Sequence, residues 1–350
     1  MEYGSEYDYL SNRDFLRDED TDFVKPDWQL YRSGRDALKA FARIAGRKKV
    51  LIPALCCDSM ALPFEQNGYE VTYYKLNRDL SADMDDVRRK LEKGAVLLYM
   101  RYFGIPAFAE DELHSLRATG EDILFIEDRT HDILTPRHET GFQPEATMAS
   151  LRKWTALPDG GMLCTGLGVY PGESDGRFAA IRREAMKKKS RYLENGDKAL
   201  KAEYMHEMAE AARLLDEAAA PVKMGEAEES LLRRIDFEAM MQRRVDNALY
   251  LQSLLEPMAE AGKLRFMCEH PQNSTLYFTV YLEDRNRVHR ALIDKAIYAA
   301  VIWPLPEKAA ELCDNTVYVN QHMLAIPCDH RCSREDMDFI AAVLKEALEK

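Results

Sequence analysis

The chain has 350 residues, 46% hydrophobic and 31% charged, values that suit a soluble globular protein of two lobes and exclude a fibrous or disordered one. Its 48 basic and 60 acidic side chains leave a formal charge of −12, which argues against binding along a nucleic-acid backbone. Seven cysteines, an odd number thinly spread behind no signal peptide, point to a reducing cytoplasm rather than a disulfide framework.

Residues 1–30 read as an N-terminal arm, acidic and studded with Tyr and Phe up to Asp22, unlike a secretory or transit peptide. From about residue 33 to 165 short apolar runs alternate with amphipathic helical stretches. Helices are predicted at Asp36–Ile44, Ser59–Gln66 and Met84–Leu91, and strands at Lys49–Pro53, Tyr69–Tyr74, Ala95–Met100, Ile123–Ile126 and Gly161–Thr165. Such alternation predicts crossover units on a mainly parallel sheet covered on both faces, with chemistry at the carboxyl ends of the strands.

Arg177 to Leu255 is rich in Ala, Glu, Lys, Arg and Met and predicts two or three long helices, with a break near Ala220-Pro221. The basic run Lys187-Lys188-Lys189 lies among Glu and Arg and reads as a solvated helix face. Beyond it, a smaller α/β segment is predicted. Its strands are Leu264–Cys268, Leu276–Leu282, Ala300–Trp303 and Val317–Val319, and its helices Val288–Ala299 and Arg334–Leu348. The domain boundaries expected are 31–215 for a large domain and 216–350 for a smaller C-terminal one. No stretch reaches the roughly 18–20 apolar residues that span a bilayer. Cys328-Asp329-His330-Arg331-Cys332 offers three soft ligands but no fourth at zinc spacing, so no metal is expected.

Three groups of residues carry the candidate chemistry. Ser33-Gly34-Arg35 opens the first helix, where free amides, a close-approach glycine and a hydroxyl can seat a phosphate; alone, Ser-Gly there is also an ordinary cap. Asp128 ends an apolar strand, with His131 three residues later; alone, such an acid can simply cap a turn. Lys153 stands between the apolar segment Ala146–Leu151 and the turn Asp159-Gly160-Gly161. That setting predicts a desolvated amine with nucleophilic character, and Ser150 lies close enough to add a hydroxyl to a phosphate. A strand-end aspartate followed by a lysine in a small-residue loop is a pattern of enzymes that use pyridoxal phosphate (PLP). The lysine holds that cofactor as a Schiff base and the aspartate keeps its ring nitrogen protonated.

In this order the residues resemble the DegT-type sugar aminotransferases, over about Trp28 to Leu348. Ser33-Gly34-x-x-Ala37-Leu38 resembles that family's phosphate-binding helix opening. Tyr102-Phe103-Gly104-x-Pro106, Glu127-Asp128-x-x-His131 and Lys153 with Gly160-Gly161 resemble its later motifs, as do Asn247-Ala248 and Leu324-x-Ile326-Pro327. The sequence departs at Arg35 and Asp36, where small residues are usual, at Cys57, where an aromatic is usual, and at Ser150, three rather than five residues before the lysine.

The resemblance implies the PLP-dependent transferase fold type I, a large mainly parallel sheet domain flanked by helices plus a smaller C-terminal α/β domain. It implies Lys153 as the catalytic residue and Ser33, Gly34, Arg35, Asp128, His131, Ser150 and Lys153 around the cofactor. It further implies an amino acid donor such as glutamate, a nucleotide-linked keto sugar as acceptor, and a homodimer. A catalytically idle PLP- or nucleotide-sugar-binding protein and a sugar dehydration remain as alternatives, the latter going with a histidine in place of the lysine in related dehydratases.

Overall fold

The computed structural model describes residues 2–133, 141–268, 270 and 276–350. After a turn of 3-10 helix at Arg13–Phe15, the elements run β1 (Trp28–Tyr31), α1 (Gly34–Ala45), β2 (Lys49–Pro53), α2 (Asp58–Glu65), β3 (Glu70–Tyr74) and α3 (Met84–Lys90). Then come β4 (Val96–Tyr102), β5 (Ile105–Pro106), α4 (Glu110–Arg117), β6 (Leu124–Asp128), β7 (Ala146–Ala149) and β8 (Gly161–Thr165). Four helices follow: α5 (Arg177–Asn195), α6 (Lys198–Glu217), α7 (Glu226–Arg233) and α8 (Phe237–Glu260). The C-terminal elements are β9 (Arg265–Phe266), β10 (Phe278–Tyr281), α9 (Arg285–Ile293), α10 (Glu307–Leu312), α11 (Asp314–His322), β11 (Met323–Ile326) and α12 (Arg334–Glu349).

Seven strands form the large sheet in the order β1-β8-β7-β6-β4-β2-β3, and β5 folds back on β4. The pairs from β7 through β3 are parallel, whereas β8 runs antiparallel to both β1 and β7. The strands β2, β4 and β6 are near-continuous apolar runs, buried along almost their whole length, as parallel strands covered on both faces must be. A second, antiparallel sheet, β11-β10-β9, shares a separate apolar core with α8, α9 and α12. Among the described residues no helix is long and apolar enough to cross a membrane.

The predicted parallel strands are all present within a residue or two. Two expectations fail. Val317–Val319 lies inside α11, not in a strand: Cys313, Thr316 and Val319 recur at helical spacing and point inward, which outweighs the strand preference of Thr-Val-Tyr-Val. Ala300–Trp303 forms no strand and makes only an isolated bridge from Ala300 to Ala325. The segment read as two or three long helices holds three, α5, α6 and α8, with the eight-residue α7 between the last two, and the expected break lies around Pro221, between α6 and α7. The basic run is also only partly solvated. Lys187 and Lys188 pair with Glu184, Glu203 and Glu207, but Lys189 is buried under the N-terminal arm, where its amine meets the Ser5 hydroxyl at 2.8 Å.

Candidate active site

The antiparallel placement of β8 between β1 and β7 sets the site. It makes β1 run in the same direction as β7, so the chain leaves β1, β6 and β7 at one edge of the sheet. Ser33 and Gly34, Asp128, and Ser150 to Lys153 therefore collect there.

Ser33 caps α1: its Oγ accepts from the Asp36 amide at 3.2 Å and lies 2.6 Å from Asp36 Oδ2. The first intrahelical bond runs from Ala37 N to Ser33 O, so the Gly34 and Arg35 amides are what the helix start can offer an anion. A Cβ on Gly34 would come within 3.2 Å of Ser150 Cβ, and a Cβ on Gly161 would collide with the Ser33–Gly34 peptide itself. The two glycines let the helix start, Ser150 and the first residue of β8 close on one point. Asp36 is fully buried and held by Arg32 through two bonds of 2.9 Å, which fixes the first turn. The Arg35 side chain pairs instead with Asp216 on α6, which leaves its backbone amide as its contribution to the seat.

Asp128 is buried at the end of β6, and its Oδ1 accepts from the Thr130 amide at 2.7 Å. Burial raises its pKa, against the Thr130 bonds and the charge of Lys153, which lower it. His131 is also buried, and its pKa falls well below the ordinary imidazole value, first by burial and then through Lys153. The cation of Lys153 thus acts on both residues. Lys153 ends a single 3-10 turn, Leu151–Lys153, with Ser150 at its start. The sequence predicted a desolvated amine, but the Lys153 side chain is exposed, because the one-turn loop buries Leu151 and Trp154 and directs the lysine outward.

Thr130 joins these parts. Its hydroxyl accepts from the Ser150 amide at 3.0 Å and its carbonyl from the Trp154 indole at 2.7 Å, while its amide holds Asp128. Sequence reasoning missed Thr130 as a link, and two aromatic neighbours as well. His131 is sandwiched between Phe103, at 4.4 Å and 28°, and Trp303, at 5.3 Å and 22°. Lys153 Nζ lies 5.9 Å from the centre of the Trp303 ring. Both aromatics have left-handed backbones, φ 53° and 51°, an uncommon conformation for bulky residues that tends to collect at functional sites. At Trp303 it is held by Asn320, whose Nδ2 bonds the Ile302 and Trp303 carbonyls at 2.9 and 2.6 Å. Cys57 precedes α2, its Sγ 2.7 Å from Ser59 Oγ. Among the described residues no three His, Cys, Asp or Glu side chains converge as metal ligands.

Asp159, in the turn after Lys153, is buried, and burial pushes its pKa up to about 7 against the Gly225 amide and the charges of Arg152, Arg183 and Arg32. The unfolded carboxyl titrates near 4, so between these values the folded chain binds more protons than the unfolded one. Stability is expected to fall as pH rises from about 4 to about 7, by on the order of 3–4 kcal/mol from this group. Denaturant midpoints measured across that range should show a shallower decline for Asp159→Asn than for the wild type.

No family model matches the chain, and a search of curated proteins gives no match. Solved structures do match. The putative sugar aminotransferase Spr1654 from Streptococcus pneumoniae, in its PLP form, is 16% identical, with 92% of this chain and 87% of that one covered at a TM-score of 0.64. A DegT DnrJ EryC1 StrS aminotransferase from Brucella abortus is 14% identical, covering 92% and 86% at 0.63. DesV from S. venezuelae, in complex with a ketimine intermediate, is 17% identical, covering 92% and 85% at 0.64. At these identities the likeness is one of fold: the chain has the mixed α/β fold of these enzymes, from the large sheet through the C-terminal sheet.

Proposed function

We propose that this chain is a PLP-dependent sugar aminotransferase of the DegT type and that Lys153 is its catalytic residue. The observation that carries the reading is the meeting, at one sheet edge, of an exposed lysine with a buried strand-end carboxylate and a buried histidine, beside a helix start closed by two glycines. The residues present fit the cofactor. Ser33, the Gly34 and Arg35 amides and Ser150 would hold its phosphate, Asp128 its ring nitrogen, and His131, with its faces on Phe103 and Trp303, would stand beside the ring rather than over it.

When bound, PLP supplies an electron sink for charge developing at the substrate carbon. The chain's own residues do the rest. Lys153 Nζ would be the nucleophile that anchors the cofactor and, once freed by the amino donor, the base and acid that moves a proton between the substrate carbon and C4′ of the cofactor. Asp128, kept dry by β4 and β7 on either side, would keep the ring nitrogen charged. Thr130 keeps that carboxylate in register with the Lys153 turn.

By resemblance the donor is glutamate and the acceptor a nucleotide-linked keto sugar, in a cytoplasmic homodimer whose second copy completes the site. The chain is divided as an arm over 1–30, a cofactor domain over 31–215 and a smaller domain over 216–350. A second reading, a binding protein without turnover, draws on Asp36, which occupies the Ser33 hydroxyl, and on Arg35, which turns away to Asp216.

A half-transamination assay decides between them. PLP-loaded protein mixed with glutamate should convert the cofactor to its amine form; a protein that binds PLP but leaves it unchanged with every amino acid donor is the binding module. Asp128→Asn should slow this half-reaction by about 10²- to 10³-fold, as expected for loss of charge stabilisation at the reacting system. It should still bind PLP through Lys153, and a variant as fast as the wild type would remove Asp128 from the mechanism.

A further inference from the structure

We propose that Tyr7, on the N-terminal arm, is a positioning residue for Lys153, and that the arm is a built part of the active site. This rests on the aminotransferase reading above. A single 3-10 turn cannot hold itself in water, and the exposed Lys153 side chain is not gripped by packing. Where the amine points therefore depends on what fixes the backbone of residues 153–156.

The arm fixes it, residue by residue. The Tyr7 hydroxyl lies 3.4 Å from the Lys153 carbonyl and 3.2 Å from the Trp154 carbonyl, donating its one proton between them. It accepts in turn from Arg244 Nη2 at 2.6 Å, and the same nitrogen donates to the Trp154 carbonyl at 2.8 Å. Burial raises the Tyr7 pKa, so the hydroxyl keeps its proton across the ordinary range and stays a donor. The Tyr7 ring is held between the His330 ring, 5.6 Å away at 24°, and the Arg331 guanidinium, 4.4 Å from its centre.

Five residues on, buried Asn12 brackets the next two positions. Its Oδ1 accepts from the Ala156 amide at 3.0 Å and from the Thr155 hydroxyl at 2.6 Å, and its Nδ2 donates to the Ala156 carbonyl at 3.2 Å. Every residue from Lys153 to Ala156 is thus bonded to the arm. The arm is itself tied down at both ends. Tyr3 exchanges backbone bonds with Ala296 and Tyr298, Arg331 donates to the Ser5 and Glu6 carbonyls, and Thr21 bonds the Arg233 carbonyl. It runs from the Ala296–Tyr298 segment to the end of α7 at Arg233 and meets the catalytic turn on the way.

The test compares the wild type with Tyr7→Phe, which keeps the ring and deletes the hydroxyl, Asn12→Ala, and Arg17→Ala as an arm control, whose exposed guanidinium pairs with half-buried Asp236 at the start of α8 and not with residues 153–156. Hydrogen exchange of residues 151–157 is measured without cofactor, and the glutamate half-reaction with PLP. Exchange about tenfold faster in Tyr7→Phe and Asn12→Ala, with Arg17→Ala unchanged, is the expected result. The half-reaction rate should fall about 10- to 100-fold in Tyr7→Phe with the glutamate KM little changed, the signature of a misaimed amine. Exchange and half-reaction both unchanged in Tyr7→Phe and Asn12→Ala would overturn the inference. If the wild type binds no PLP at Lys153, the aminotransferase reading fails, and the cofactor-free exchange rates alone then decide whether the arm braces the turn.

Discussion

Lys153→Ala is expected to abolish the half-reaction, by about 10⁴-fold or more, and to remove the absorbance band of the lysine-bound cofactor, because among the described residues of the site no other supplies the amine. The same substitution should cost little stability. The side chain is exposed and makes no close ion pair among the described contacts, so a change within about 0.5 kcal/mol is expected, measured as a denaturant midpoint. Loss of function without loss of fold is what separates a catalytic lysine from a structural one.

Lys153→Arg sharpens the test. Arginine keeps a cation beside Asp128 and His131 but cannot deprotonate to act as a nucleophile. It should therefore be as inactive as alanine. The two variants differ in their electrostatics: in Lys153→Ala the opposing charge on His131 and the supporting charge on Asp128 both vanish, so both groups should titrate higher than in the wild type. A lysine-bound cofactor band that survives in Lys153→Ala would end the present assignment.

How far the sequence carried this picture depends on the kind of signal. The parallel strands β2, β4 and β6 were legible because each is a buried apolar run that nothing but a covered strand explains. The strands β1 and β7 were not: Trp-Gln-Leu-Tyr and Ala-Thr-Met-Ala are four residues each, too short and mixed to show a period. Yet it is these two, joined by β8, that bring Ser33 to Ser150 and Lys153. The motif residues Ser33, Gly34, Asp128, Ser150 and Lys153 could be named from local chemistry, and the structure gathers them at one edge. The exposure of Lys153 ran against expectation, because apolar neighbours in sequence here bury themselves and push the lysine out.

What stayed hidden is what distant segments supply. Phe103 and Trp303 close on His131 from positions 200 residues apart in the chain, and no spacing rule joins them. Tyr7 and Asn12 lie in a segment that composition alone left as an arm, and their bonds to residues 153–156 cross more than 140 positions. Side-chain pairing across such distances is fixed by packing of the whole fold, so it has no local trace to read.

Gly161→Ala is the second large effect expected, and it tests the geometry of the seat rather than its chemistry. A Cβ at this position would stand 2.2 Å from the Ser33 carbonyl carbon, 2.3 Å from its oxygen and 2.6 Å from the Gly34 nitrogen. These are backbone atoms, and neither side can yield cheaply. Gly161 is paired with Tyr31 at the start of β8, and the Gly160 amide bonds the Arg32 carbonyl at 2.8 Å. On the other side, the first turn of α1 is locked by the Arg32–Asp36 pair. Relief requires β8 to part from β1 or the helix start to lift from the sheet. The expected cost is about 3–5 kcal/mol, in the range of severe overpacking and backbone disruption, seen as a melting point lower by about 10 °C or as insoluble protein. Gly166→Ala is the control, since a Cβ there meets nothing within 4 Å and the change should be near neutral. Gly161→Ala protein that does fold should also bind PLP more weakly, because the displaced helix start carries the Gly34 and Arg35 amides away from Ser150. A variant that melts with the wild type would show that the close approach of β8 to α1 is not what holds the seat together.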